Sequence, residues 1–168
     1  LAASRNFSNK LWNTARFVLM RVGERTVTRP KVADRSSLAL EDRWILSRLE
    51  AVEAEVQDLI TNYHLGEAAR TIQDFLWNEF CDWYIEFAKV RISAGDERPF
   101  GVLLHVLDHG LRLLHPVMPF VTEELWQAVK EQFDEDLGPA LIVASYPEGT
   151  EGWRDAGDEA AMAHVIEI

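Results

Sequence analysis

Between Leu65 and Ile92 the apolar residues Ala69, Ile72, Leu76, Phe80, Trp83, Tyr84, Phe87 and Val90 recur at helical steps. Residues on an α-helix are about 100° apart, so this set forms a broad apolar arc and not the alternation of a strand. A helix apolar over half its girth must touch neighbours on more than one side. The segment spans on the order of 40 Å at about 1.5 Å per residue. It is therefore expected at the centre of a helical bundle, with Phe80 and Phe87 buried.

The rest of the chain supplies partners for it. Phe7, Leu11, Ala15, Val18 and Val22 form one stripe over Ser4–Val22, and Gly23 offers a stop. Gly23–Ser37 is basic, contains Pro30 and has no period, which predicts a loop. A second helix is expected over Leu40–Asn62, with Ile45, Leu49, Val52, Val56, Leu59 and Ile60 facing inward. After a Ser93–Pro99 turn, a fourth should cover Gly101–Leu114 and end at Pro116 and Pro119. A fifth should open near Thr122 as its cap, with Glu123 and Glu124 favourably placed against the dipole. Gly138-Pro139 breaks the pattern, Leu141–Ala144 reads as a short extended run, and a last helical pattern begins near Asp155. The expected fold class is all-α, an antiparallel bundle of about five helices.

A chain of 168 residues fits one domain, and 48% apolar content with six Trp and eight Phe excludes a disordered chain. No apolar run approaches the roughly 18 residues of a membrane helix. The start has neither an initiator Met nor a signal peptide, and an apolar pattern is still running at the end, so the chain reads as a piece of a longer protein. Cys81 is the only cysteine, which excludes an internal disulfide and a Cys-based zinc site. It reads as a small, semi-buried hydrophobe compatible with a reducing, cytoplasmic setting. The net charge of −11 argues at face value against a polyanionic partner. Its distribution argues otherwise. Residues 1–48 hold ten Lys and Arg against four Asp and Glu, a balance of +6. Residues 49–168 hold seven against twenty-four, a balance of −17. Such asymmetry suits one basic surface on a soluble body, or merely solvated faces.

Arg5, Asn9, Trp12, Asn13, Arg16 and Phe17 fall outside the apolar stripe of the first helix. Arginine contacts phosphates and base edges, asparagine reads base edges, and aromatic rings stack on unpaired bases. The alternative is that Trp12 and Phe17 pack on other helices while the polar groups are merely wet. His105 and His109 stand four apart with Asp108 between them. Val106 occupies the place where a metalloprotease-type motif requires Glu, and the pair reads as helix-surface or semi-buried imidazoles with no metal site. No phosphate-cradling glycine loop or nucleophile elbow occurs, so no catalytic residue is assigned.

Four strings carry a resemblance. RNFSNKLWNTARFVL (Arg5–Leu19), EDRWILSRL (Glu41–Leu49), WNEFCDWYIEFAK (Trp77–Lys89) and LLHPVMPFVTEELW (Leu113–Trp126) resemble, in this order, blocks of the anticodon-binding domain of valyl-tRNA synthetases. The last block is shared in form with isoleucyl and leucyl relatives; the valyl character rests on NKLWN with EFCDWY. The resemblance implies the anticodon-binding fold of class I synthetases over residues 1–150. It implies that 151–168 begin a linker helix toward a C-terminal coiled-coil arm. It also implies an RNA-docking module without catalysis of its own, since the HIGH and KMSKS signatures do not occur. ATP and magnesium would then belong to the catalytic domain of the parent chain, which is itself an expected partner beside valine-accepting tRNA. By motif match, anticodon contact is carried onto Asn9, Asn13, Arg16 and Phe17, with Phe17 stacking, and onto Glu79 and Trp83 in the third helix. Trp83 also lies in the apolar arc, where a core role is open to it. The bases of the Gly23–Ser37 loop are expected to steer phosphates.

Overall fold

The computed structural model describes residues 2–167. Among the described residues there are seven α-helices: α1 (Ala2–Val22), α2 (Leu40–Thr61), α3 (Leu65–Asp74), α4 (Ile85–Ser93), α5 (Arg98–Leu114), α6 (Pro119–Lys130) and α7 (Ala156–Glu167). A π-helical segment, Phe75–Tyr84, joins α3 to α4 without a break, so 65–93 form one rod. The bundle is all-α; among the described residues strand geometry is confined to one isolated parallel bridge, Val27 to Phe133. α1 stops where glycine allows it: Gly23 turns left-handed at φ 63° and its N–H donates to the Leu19 carbonyl at 2.9 Å.

The rod is not the centre of the bundle. That place belongs to α5, in which fourteen of seventeen residues are buried. The rod buries Ala68, Ile72, Phe75, Leu76, Phe80, Tyr84, Ile85 and Ala88. Polar residues on α5 disguise its position in the sequence: His105, Asp108 and His109 are all buried, the first two meeting Arg29 and the third Glu53. The helix-surface reading of the two histidines is thereby corrected. The π segment explains the second departure. From Ile72 the buried residues advance by four, through Leu76, Phe80, Tyr84 and Ala88, whereas a regular α-helix repeats every 3.6 or so. Wider i→i+5 turns let the register drift. Phe80 is buried as expected, but Phe87 is only half-buried, while Trp83 is 37% and Val90 72% exposed.

Smaller corrections follow from local partners. Within the Gly23–Ser37 loop, Val32–Ser37 forms a 3-10 turn. Leu141–Val143 is also a 3-10 turn and not an extended run, because its first N–H is taken by the Glu123 carboxylate at 2.9 Å. α6 opens at Pro119, whose missing N–H suits a first helical turn. Thr122 consequently lies inside the helix, fully buried, and its hydroxyl donates back to the Met118 carbonyl at 2.7 Å. α7 packs on α2, with Met162 buried and Ser47 donating to Glu159 at 3.0 Å.

Candidate nucleic-acid interface

α1 lies against the π segment through specific pairs. The Phe7 and Trp77 rings stack at 6.2 Å, Lys10 sits 4.2 Å above the Trp77 ring and pairs with Asp82 at 2.7 Å, and Thr14 meets Cys81 at 3.3 Å. Phe7 and Thr14 are seven residues apart, so one helical stripe makes all these contacts. The opposite edge of α1 is left to solvent. Asn9, Asn13 and Arg16 are exposed there in steps of four and three, followed by Met20 at 77% exposure. Trp12 is half-buried against the core.

Between the two elements runs a groove lined by Lys10, Asn13, Thr14, Phe17 and Cys81, by Ile85 and Lys89, and by the carboxylates Asp82 and Glu86. Phe17 is half-buried at its edge, with Arg21 5.3 Å and Lys89 4.9 Å from its ring centroid. Lys89 and Lys10 are paired with Glu86 at 2.9 Å and Asp82 at 2.7 Å, so the unpaired cation beside the ring is Arg21; an aromatic edge next to a free guanidinium suits a base attached to phosphate. Burial pushes the Cys81 thiol up, against smaller opposing effects of Thr14 and Lys10, so it stays an inert thiol on the groove floor. The groove wall from the rod could not be read from the first helix's sequence, because Cys81 and Lys89 are more than sixty residues away from it.

The six expected contact residues therefore separate. Asn13 and Phe17 share the groove, and Asn9 and Arg16 lie on the same outer face of α1. Trp83 is exposed and stacks on Phe87 at 6.1 Å, which removes the core alternative for it. Glu79 is engaged elsewhere: it accepts from Arg48 Nε at 2.7 Å and Nη2 at 3.4 Å, toward α2.

Charge sharpens the picture. Most cations of the basic first segment are tied to the acidic remainder of the chain. Arg25 pairs with Glu97, Arg29 with Asp108 and Glu135, Arg35 with Asp155, Arg43 with Asp158 and Arg48 with Glu79. Arg29 is part-buried, its Nη1 also donating to His105 Nδ1 at 3.0 Å and its guanidinium 4.3 Å from the Phe133 ring centroid. The phosphate-steering role expected for the loop is thus withdrawn for Arg29. Among the described residues, the Lys and Arg side chains without an ion pair are Arg5, Arg16, Arg21, Lys31 and Arg70, and three of these stand on α1.

The family described as the anticodon-binding domain of tRNA ligases matches residues 42–168. Over its whole length the chain is 48% identical to the valine–tRNA ligase of Dehalococcoides mccartyi strain CBDB1, of which it covers 19%. It is 46% identical over 98% of its length to that of Gloeobacter violaceus, covering 18% of it. It is 41% identical over 99% to that of Lactiplantibacillus plantarum, again covering 18%. The chain spans about a fifth of the length of these curated relatives.

Proposed function

We infer that this chain, which belongs to the anticodon-binding domain family of tRNA ligases, docks the anticodon stem-loop of a valine-accepting tRNA through the outer face of α1. The observation that carries this reading is the concentration of unpaired cations on that face, Arg5, Arg16 and Arg21, beside the exposed Asn9 and Asn13 and the ring of Phe17. Phosphates would meet the arginines, base edges the two asparagine amides, and one unpaired base the Phe17 ring. Trp83 on Phe87 offers a second stacking surface. Glu79 contributes by holding the Arg48 guanidinium and not by meeting a base itself.

The whole protein, in this reading, is a cytoplasmic valine–tRNA ligase. Its ATP and magnesium are handled by a catalytic domain outside these residues, and 151–168 lead from the bundle toward a coiled-coil arm. The catalytic domain would cover the exposed apolar residues Val117, Phe120, Ile142 and Val143, which are 48%, 90%, 80% and 68% open.

Fluorescence titration of two hairpins tests the recognition. One carries a valine anticodon and the other a changed middle anticodon base. The cognate hairpin should bind about 5- to 150-fold better, the range of one lost stacked or bidentate base contact of about 1–3 kcal/mol. Phe17→Ala should weaken the cognate hairpin and narrow the preference. Equal affinity for both hairpins would sink the anticodon-reading role.

A further inference from the structure

The polar cluster inside the bundle is not explained by RNA docking. His105 and His109 stand one turn apart on α5 with ring centroids 4.2 Å apart. Glu151, from the segment leading into α7, faces both: His105 Nε2 lies 3.8 Å and His109 Nε2 4.0 Å from its carboxylate oxygens. One ligand atom from each of the three residues lies within 4.8 Å of the other two. His105 is 2% exposed, and its Nε2 has no hydrogen-bond partner among the described residues. A buried ring nitrogen without a partner is costly unless something outside the protein chain satisfies it.

We propose that His105, His109 and Glu151 form a site for a divalent cation of the zinc class, stapling the segment before α7 to the central helix. Two imidazoles and a carboxylate are a donor set that zinc accepts, with a fourth position left for water. The surroundings are built for it. His109 Nδ1 lies 2.5 Å from the buried Glu53 carboxylate, so Nδ1 holds the ring proton and Nε2 presents its lone pair. The backbone on both sides of Glu151 is fixed by Glu50, which accepts from the Gly152 N–H at 2.5 Å and the Arg154 N–H at 2.7 Å. Gly149, at φ 74°, presses so closely on α2 that a Cβ would fall 2.7 Å from Ala54 N and the Glu50 carbonyl. Trp153, 2% exposed, anchors the other end.

Two adjustments are required. Zinc bonds of about 2.0–2.2 Å need a tighter cluster, which the Glu151 side chain, 46% exposed, can supply by swinging inward, its Oε2 exchanging the 3.2 Å hydrogen bond from the Trp153 indole N–H for the metal. His105 Nδ1 accepts from Arg29, so coordination at Nε2 moves the ring proton to Nδ1 and leaves Arg29 on Asp108 and Glu135. The two arginines nearest the cluster, Arg29 and Arg112, share Asp108 and Arg29 also holds Glu135; their remaining positive field disfavours charge at His105, so the cation relies on the Glu151 and Glu53 carboxylates to offset it.

The test is a calorimetric titration of the tag-free, chelator-treated chain with Zn2+, accompanied by Co2+ absorption spectra and thermal melts. One equivalent should bind, raise the melting temperature, and give Co2+ the visible bands of a low-coordinate site. Glu53→Gln should weaken binding about 10- to 100-fold, the usual cost of losing the group that orients a ligating histidine. Glu151→Gln should weaken it further, and because Glu151 is exposed this variant retains its fold. Failure of the unaltered chain to bind one equivalent, or unchanged affinity in Glu151→Gln, would overturn the assignment.

Discussion

Asp42 is fully buried and accepts from Tyr84 Oη at 2.6 Å, Arg91 Nη1 and Nη2 at 2.6 and 2.9 Å, and the Ala39 N–H at 3.1 Å. Burial, and then the Asp42 carboxylate beside it, push the Tyr84 phenol well above its usual range, so it remains a donor. Removing the shared acceptor strands the buried Tyr84 hydroxyl and takes from the part-buried Arg91 its bidentate partner, leaving it Asp96 and Glu41. Asp42→Ala should therefore cost about 3–5 kcal/mol in urea denaturation; a loss below about 1 kcal/mol would mean that Arg91 and Tyr84 find other partners. Within EDRWILSRL this aspartate looks like an ordinary acidic residue of a first helical turn. Its partners lie 42 and 49 positions away, and no local pattern announces them. Arg16 and Phe17 differ in this respect. Their types and spacing on one helix are visible locally, so the exposure of Arg16, and the place of the half-buried Phe17 beside it outside the apolar stripe, were legible in advance.

Helices reveal themselves by period, and five of the rods stand close to where the apolar steps put them. What a period cannot carry is a change of pitch. The π segment lengthens the repeat between Phe75 and Tyr84, and residues placed by a uniform 3.6 step, Trp83 and Val90, rotate out of the core. The rod packs tightly on α5 at Gly110, where a Cβ would fall 2.9 Å from Leu76 Cδ2. Leu76→Ala should lose about 2–5 kcal/mol by cavity formation, and Gly110→Ala about 1–3 kcal/mol by overpacking. Chemical denaturation of the double variant should give less than the sum, since the new methyl enters the space the leucine vacates; strict additivity would argue against this contact. The turn between α4 and α5 has its own pH signature. Hydrogen bonds from Arg98, and then Arg91, hold the Asp96 carboxyl well below the usual carboxylate range. A carboxyl whose pKa falls on folding stabilises above its unfolded value near 3.9, and that contribution is lost as pH drops further. Asp96→Asn should thus flatten the decline of melting temperature below about pH 4. An acid limb identical to that of the unaltered chain would remove Asp96 as its source.

Across the whole molecule, folding brings the basic opening segment onto the acidic remainder. The excess of +6 in residues 1–48 is largely consumed internally, which gives the acidic second half a structural use that tRNA docking alone did not suggest. Arg16→Ala should lower the slope of log affinity against log salt for a hairpin by about 0.7–0.9, one phosphate contact. Arg29→Ala should leave that slope unchanged while lowering the melting temperature, because Arg29 holds the interior carboxylate Asp108. Equal slope changes in both would mean that the internal pairing opens on RNA. The sequence by itself determined the all-α class, the approximate rods, the Gly23 stop and the polar outer face of α1, because helical periodicity and turn chemistry are local properties. Only the tertiary structure decided that α5 is central, that Glu79 belongs to Arg48, that Arg29 is structural, and that His105 and His109 meet Glu151. Each of these depends on side chains brought together across tens of residues, and a buried charge or imidazole has the same letter as an exposed one until its partner is in place.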